Sequence, residues 1–328
     1  MNWLQRWRRL NKLGILGMNH RNAACILDLN PRHGYPAVDS KRTMRDLCQR
    51  IGVPTPTIYA IVAAHSALRH LPRLLETRND FVIKPNRGAG GRGILVVNGR
   101  QGQSFIRHNG EVAEMHDIRQ HVSSVVSGLY SLGGRPDAAL IQQRVQLHPA
   151  FESISYQGIG DVRVIVYKRV PIMAMLRLPT RASNGRANLH QGGIGAGVEL
   201  ETGKTTRAVM RNRTAKRHPD TDVSLVGFQV PYWPRILEMA RRVAEAVELG
   251  YLGVDIVVDR DQGPLLLEAN ARPGLAIQIA NGQGLRARVE AIERDLANGA
   301  ASARPGLNDR AAVAANLGDG KSIAEERP

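Results

Sequence analysis

Residues 251–275 read YLGVDIVVDRDQGPLLLEANARPGL, and this stretch decides the fold. Two runs rich in Val, Ile and Leu flank Asp259-Arg260-Asp261-Gln262-Gly263, a turn-forming loop that closes a hairpin. Pairing Val258 with Leu265 sets Asp255 opposite Glu268, and strand alternation places Asn270 on the face of Glu268. Two carboxylates and an amide oxygen then converge on a patch framed by aliphatic side chains. Like charges there repel and need a positive partner between them. Mg2+ is a hard cation that takes such oxygens and keeps positions for phosphates and water. Arg272 follows directly, and Pro273-Gly274 ends the strand. The competing readings are a polar hairpin face salt-bridged to nearby arginines and a glycosidase-like acid/base pair. Glu-x-Asn in so apolar a frame disfavours both.

Working outward, short β-branched runs alternate with helical stretches from Phe81 to about Leu296, the pattern of an α+β or α/β domain. Strands are expected at 81–84, 94–97, 139–145, 162–167, 171–177, 253–258 and 264–268. Helices are expected over 111–130 and 234–249, where apolar residues recur at three- and four-residue spacing. Residues 41–80 also read as helical, interrupted by Gly52-Val53-Pro54-Thr55-Pro56. Residues 1–40 are a short polar and basic lead-in. Beyond Leu296 the chain turns to Ala, Gly, Asn, Pro and charge, so 297–328 is expected to be a flexible tail.

The segment FVIKPNRGAGGRGILVV (81–97) holds a second signal. Gly88 to Gly93 fits G-x-G-x-x-G, but that fingerprint needs a helix starting in the loop, and Ile94 to Val97 reads as a strand. No P-loop is present, and the kinase H-R-D and D-F-G signatures are missing. A strand, a glycine loop and a strand make a hairpin whose backbone N–H groups can fold over phosphates. Lys84 precedes the loop within reach of the same phosphates. An ordinary glycine-rich bend with a surface lysine is an equal reading of this segment alone.

Between these signals, residues 161–200 place Asp161, Arg163, Arg177, Asn188 and His190 beside apolar strands. Guanidinium forks suit phosphates and carboxylates. The Gly- and Asn-rich stretch 183–197 is expected to be a loop of the kind that carries substrate contacts. Taken singly, each arginine reads as a structural ion pair and His190 as a hydrogen-bonded structural residue.

Composition narrows the partners. The 328 residues carry 45 basic and 29 acidic side chains, a net charge of +16, which calls for an anionic partner. Aromatics are 4%, too few for base-stacking platforms, and no nucleic-acid reading motif occurs, so no specific nucleic-acid partner is expected. Cys25 and Cys48 read as reduced and buried, as in a cytoplasmic protein. No apolar stretch approaches the ~18 residues that span a bilayer. The leading MNWLQRWRRLNKLG lacks an apolar signal core, but Trp3, Leu4, Trp7 and Leu10 recur at helical spacing. That helix either rests on the inner membrane surface or a partner protein, or docks on its own core.

In combination, VDSKRT (38–43), FVIKPNRGAGGRGI (81–94), ALIQQRV (139–145), residues 161–180, NGRANLHQGGIGAGVEL (184–200), HPDT (218–221) and residues 249–285 resemble the ATP-grasp superfamily. Within it they are similar to the RimK-like alpha-L-glutamate ligase-related proteins, over about Arg21 to Arg288. The resemblance implies an α+β fold with a nucleotide held between the antiparallel sheets of two lobes. Here these would be 41–145 with the glycine lid and 146–296 with the catalytic residues. It implies ATP and Mg2+ (or Mn2+) as cofactors, with Lys41 and Lys84 on phosphates and Arg87, Gly88, Gly90, Gly91 and Gly93 in the lid. Gln142, Gln143, Arg144 and Val145 would form the hinge strand meeting adenine. Asp255, Glu268 and Asn270 would hold the metal, and Arg163, Arg177 and Arg272 would act near the reacting phosphate. Arg21, Asn188 and His190 would contact substrate. Two departures stand out: the N-terminal domain is truncated to about 40 residues, and the hinge carries Gln142-Gln143 where a glutamate is usual. The implied activity is an ATP-dependent carboxylate–amine ligase working through an acyl phosphate, adding glutamate or another amino acid to an amino-acid or peptide acceptor. The rivals are a kinase on the same fold and a non-catalytic ATP-binding module. Oligomeric state is left open.

Overall fold

The computed structural model of the chain describes residues 2–298 except Ala89. Most of the expected tail and the Trp7 side chain lie outside the described residues. Residues 1–286 form one compact unit, and a second begins at Ala287. In chain order the α-helices are α1 (Trp3–Lys12), α2 (Met18–His20), α3 (Tyr35–Asp39), α4 (Lys41–Arg50), α5 (Leu71–Leu75), α6 (Met115–Val126), α7 (Trp233–Val247), α8 (Ala276–Asn281) and α9 (Arg286–Ala297).

Two antiparallel sheets dominate. The smaller has six strands: β1 (Ile58–Val62), β2 (Phe81–Pro85), β3 (Leu95–Gln101), β4 (Ser104–Arg107), β5 (Val112–Ala113) and β6 (Ala139–Gln142). They lie in the order β1-β6-β2-β3-β4-β5. The larger contains β7 (Asp161–Tyr167), β8 (Val170–Leu178), β9 (Ile194–Val198), β10 (Thr205–Met210), β11 (Arg213–Thr214), β12 (Tyr251–Asp259) and β13 (Gly263–Asn270). Its order is β11-β10-β9-β8-β7-β12-β13.

Each sheet buries a face under a helix. α6 sets Ile118, Val122 and Val125 against Phe81, Ile83 and Val97, where Phe81 and Phe105 meet edge to face with centroids 5.4 Å apart. α7 opens with Pro234 in its first turn and lays Ile236, Ala240, Val243 and Val247 on the larger sheet at i, i+4, i+7, i+11 spacing. α4 differs from expectation. Its Met44 and Cys48 join the core of the larger sheet, so Lys41 to Arg50 belongs to that body and not to the small lobe.

The lead-in is tied to the larger sheet. Asn30 donates through Nδ2 to the carbonyls of Tyr251 (2.8 Å) and Ala271 (3.0 Å), and accepts from Tyr251 N–H. It thereby clamps the start of β12 to the end of β13.

Three expected spans are corrected. Ile58–Val62, expected within a helical region, is a strand: α4 stops at Arg50 with Gly52 at φ +64° just beyond it, Pro54 and Pro56 keep the helix from resuming, and a β-branched run then pairs with β6. The helix expected over 111–130 shortens to Met115–Val126. Glu114 and Asp117 form its capping box, and Gly128 at φ +86° follows its end. The stretch 194–197, expected as loop, is buried strand β9. A Cβ on Gly195 would meet Leu189 at 2.6 Å, and one on Gly197 would meet Asn281 backbone at 2.8 Å. Those glycines serve close packing under α8, which composition alone cannot distinguish from a loop.

Candidate functional site

The carboxylate hairpin forms as β12–β13, with a register more particular than expected. Val258 faces Pro264 and Val257 faces Leu265, one residue out of the simple pairing. A bulge beside Leu267 then restores Asp255 opposite Glu268. The turn is held by Asp259, whose Oδ1 accepts from the N–H groups of Asp261 (2.9 Å) and Gln262 (3.0 Å). Its Oδ2 accepts from Gln146 N–H at 2.8 Å, tying the hairpin to the segment leaving β6.

Asp255 is buried and carries two guanidinium partners. Arg163 donates Nε and Nη2 to its two oxygens at 2.7 and 2.5 Å, and Arg177 Nη2 reaches Oδ2 at 2.8 Å. Arg177 also grips Asp161 through two 2.5 Å bonds. Burial alone would raise the Asp255 carboxyl, but Arg163 and Arg177 outweigh it and hold Asp255 below the usual range. For Asp161, with one guanidinium, burial prevails and lifts the pKa to about 6. The cations that the repelling carboxylates require are thus partly supplied by the sheet itself. Arg163 and Arg177 face the site through these acids, each side chain 13–14% exposed.

Glu268, half-buried, makes no ion pair among the described residues. Its Oε1 accepts from Asn270 Nδ2 at 3.2 Å, and the same amide reaches Asp255 at 3.3 Å. Asn270 therefore turns its donor toward the acids and keeps its own carbonyl oxygen available. The chemistry of these donors suits a hard divalent cation, with Glu268 offering a carboxylate oxygen and Asn270 its carbonyl oxygen; Asp255, whose Oδ2 already accepts from Arg163, Arg177 and Asn270, has at most Oδ1 left to share. No group of three or more His, Cys, Asp or Glu residues in metal-holding array occurs among the described residues, so such an ion would also take phosphate or water oxygens.

Opposite these acids stand two lysines. Ser40 caps α4, and the N-terminus of that helix is docked on Asn86, whose Oδ1 accepts from Arg42 N–H at 2.9 Å and from Ser40 Oγ at 3.2 Å. This brings Lys41 beside Lys84 at the end of β2. Lys41 Nζ donates to the Gly88 carbonyl at 2.8 Å. Lys84 is 8% exposed, and no hydrogen bond or ion pair of its ammonium occurs among the described residues. Burial, followed by the charge of Lys41, lowers Lys84 to about 7 despite the opposing pull of Glu268. Burial also lowers Lys41, against Glu268 and Asp137. Two neighbouring cations without a carboxylate ion pair are costly to hold in a partly desolvated place. They line a cavity of about 20 Å³ with Met44, Ile58, Gln142 and Leu266, between the two sheets. A larger cavity of about 380 Å³ lies elsewhere, between the β3–β4 hairpin and α6.

The glycine hairpin leaves β2 above the lysines. Gly90, Gly91 and Gly93 all hold φ between 66° and 73°, and a Cβ on Gly93 would strike the Tyr130 ring at 2.5 Å. Gly88 bridges to Ser131, and the exposed Arg87 is fixed through its N–H to Asp137 Oδ2 at 2.8 Å. In the hinge, Gln142 is buried in β6, while Gln143 exchanges bonds with Thr57 through both its backbone N–H (2.8 Å) and its side-chain oxygen (3.2 Å). Arg144 is turned to Asp80 at 3.0 Å, and Val145 packs with Val257 and Leu265. The strand expected to run to 145 ends at Gln142.

The remaining expected residues lie nearer the rim. Arg272 is exposed, its guanidinium 5.1 Å from the Tyr35 ring centroid. Arg21 donates to the Pro273 carbonyl at 3.0 Å, beside Arg272 in the chain. Asn188 accepts from His190 N–H at 3.0 Å, capping a short turn that leaves His190 exposed. Sequence reasoning passed over Asn86, Asp137 and Asp259, which position the lysine helix, the lid and the hinge. Only the Asp-x-x-x-Gly turn around Asp259 offers a local sequence signal.

Two antiparallel sheets facing across a lysine-lined cleft under a glycine hairpin are the ATP-grasp architecture. The chain matches the sugar-transfer associated ATP-grasp family over residues 20–294 and belongs to it. Among solved structures it is similar to Campylobacter jejuni biotin carboxylase in complex with β,γ-ATP (14% identity, TM-score 0.50, covering 84% of this chain and 49% of that one). It is also similar to the ATP-grasp ligase PsnB complexed with a minimal precursor (15%, 0.45, 81% and 63%). A RimK domain ATP-grasp protein from Sphaerobacter thermophilus is a further similar structure (12%, 0.45, 80% and 70%). The chain thus spans 63% of the length of that PsnB chain. No curated protein matches it.

Proposed function

We propose that the protein is an Mg-ATP-dependent carboxylate–amine ligase acting in the cytoplasm, joining an amino acid or peptide through an acyl phosphate. The observation that carries this reading is the pair Lys41 and Lys84 lining one cavity, Lys84 buried and Lys41 half-buried, without a carboxylate ion pair and within the field of Glu268. Nucleotide phosphates supply the missing anion, and the lid backbone around Gly88 to Gly93 closes over them. Glu268 and Asn270, with Asp255, would hold Mg2+ or Mn2+, which when bound neutralises phosphate charge.

The chain's own residues do the rest. Lys84 and Lys41 draw charge from the phosphates as a substrate carboxylate approaches the γ-phosphorus. Arg163 and Arg177 are held rigid by Asp161 and Asp255, so their fields are fixed before reaction. Arg272, exposed at the strand exit, would meet the transferred phosphoryl group or the carboxylate. Arg21, Asn188 and His190 would contact the acid or the amine. The closed lid keeps water from the acyl phosphate, and an amine then displaces phosphate to form the amide. The test is incubation with Mg-ATP, hydroxylamine and a panel of carboxylates. Hydroxamate with matched ADP and phosphate supports a ligase. Phosphate retained on an organic product means a kinase, and nucleotide binding without turnover across the panel means a binding module.

A further inference from the structure

Among its described side chains, α1 presents none buried in the core. Of its described side chains only Asn11 is half-buried. Trp3 is 73% exposed and Leu10, two helical turns on, 50%; Leu4 and Leu13 flank the same stripe at 53% and 45%. Seven-residue spacing puts Trp3 and Leu10 on one line of the helix, while Arg8, Arg9 and Lys12 fall on the opposite side. Residues 1–27 contain no Asp or Glu, against Arg6, Arg8, Arg9, Lys12 and Arg21.

The helix is nevertheless built to persist. Asn2 and Gln5 form a reciprocal capping box at its start. Its far end is pinned. Gly284 N–H donates to the Leu13 carbonyl and Arg286 N–H to that of Gly14, each at 3.0 Å. Leu16 exchanges bonds of 2.8 and 3.1 Å with the buried Gln278 of α8. Arg286 Nη2 adds a bond to the Asn11 carbonyl at 3.0 Å. A ten-residue helix with this little tertiary cover is marginal in water, so a stripe of Trp and Leu left in solvent calls for a covering surface.

We propose that α1 docks in the plane of an anionic lipid surface, with Trp3 and Leu10 in the headgroup–acyl boundary and the basic residues on phosphates. The chemistry selects this occupant. Ten residues reach about 15 Å, too short to span a bilayer but suited to lying in its interface. Trp is an interfacial side chain, and long basic stems extend to headgroups beside a buried apolar stripe. A second copy of α1 would bring cation against cation, since neither contributes an acid. Because α1 is pinned to α8, which follows Arg272 in the chain, docking would hold the catalytic body at the membrane and present its rim to an acceptor there. The attachment is reversible and salt-sensitive, as one short basic helix allows.

The test uses the full chain and flotation with vesicles of phosphatidylcholine, with and without phosphatidylglycerol, at low and physiological salt. Wild type is expected to float with the anionic vesicles only, less so at higher salt. The double variant Trp3→Ser/Leu10→Ser is expected to partition at least about tenfold more weakly, as two apolar anchors lose their burial. ADP affinity of the variant serves as its folding control and should match wild type. Absence of wild-type flotation at low salt overturns the proposal, as does equal flotation of the variant. Concentration-dependent dimerisation abolished by the same substitutions, without lipid binding, would reassign the stripe to a second copy. Neither outcome bears on the ligase reading, which rests on other residues.

Discussion

In Lys84→Met the ammonium is removed while a chain of similar length is kept, and two quantities are expected to move in opposite directions. Lys84 falls from 10.5 to about 7 in the fold because it is buried beside Lys41. At roughly 1.4 kcal/mol per unit, this sets a ceiling of about 5 kcal/mol on the cost of holding the charge without a nucleotide. Relaxation and water access reduce that ceiling, so a gain of about 1–3 kcal/mol in nucleotide-free stability is expected near pH 6. The sign follows from linkage. Between about pH 7 and 10.5 the unfolded chain keeps a proton that folded Lys84 has lost, so wild-type stability rises with pH across that window. The cost is fully present below pH 7, and the advantage of Met shrinks toward pH 10. Nucleotide affinity moves the other way. A charge-assisted bond to phosphate is worth about 1.5–3 kcal/mol, so ADP should bind about ten- to a hundredfold more weakly. Urea unfolding of the nucleotide-free protein and calorimetric ADP titration measure the two effects. A variant that binds ADP as wild type does, or one destabilised in the absence of nucleotide, refutes the claim that Lys84 is held for an anion.

Glu268→Gln should abolish turnover while leaving ADP affinity in EDTA within about threefold, if its part is the proposed one toward the metal; retained turnover would remove Glu268 from the metal set. ADP affinity measured in EDTA should fall with rising pH above about 7, by at most about tenfold per unit, as free Lys84 loses its proton. A flat profile from pH 7 to 9 contradicts this. Asp161→Asn should cost about 3–5 kcal/mol in urea unfolding, because it strips one carboxylate from a buried guanidinium; a change under about 1 kcal/mol would show Arg177 satisfied by Asp255 alone. Gly93→Ala places a methyl against the Tyr130 ring at a positive φ and should raise KM for ATP several-fold with lid closure impaired. An unchanged KM would mean the lid hinges elsewhere.

The large sheet is legible because its strands are long aliphatic runs, and the opposition of Asp255 and Glu268 follows from the hairpin they share. Even there the register carries a bulge that no propensity encodes. It arises because Asp259 fixes the turn one residue away from the simple pairing. What the sequence conceals is long-range. Asn86 and Asp137 gain meaning only when β2 and α4 are in place, and each reads in isolation as an ordinary loop polar residue. β9 is hidden for a steric reason, since Gly195 and Gly197 resemble a loop until α8 is seen to press on them. The arginines illustrate the same point. Arg163 and Arg177 are visible as candidates, but their bonds to Asp255 and Asp161 depend on the pairing of β7 with β8 and β12.

The central claim is that this site activates a carboxylate by phosphorylating it. Once hydroxylamine trapping has identified an accepted acid, that acid would be labelled with heavy oxygen in its carboxylate and turned over with Mg-ATP and amine, and the released phosphate analysed by mass spectrometry. An acyl phosphate transfers one labelled oxygen into each phosphate released. Amide formation with unlabelled phosphate would contradict the account, because the carboxylate oxygen could not then have attacked the γ-phosphorus.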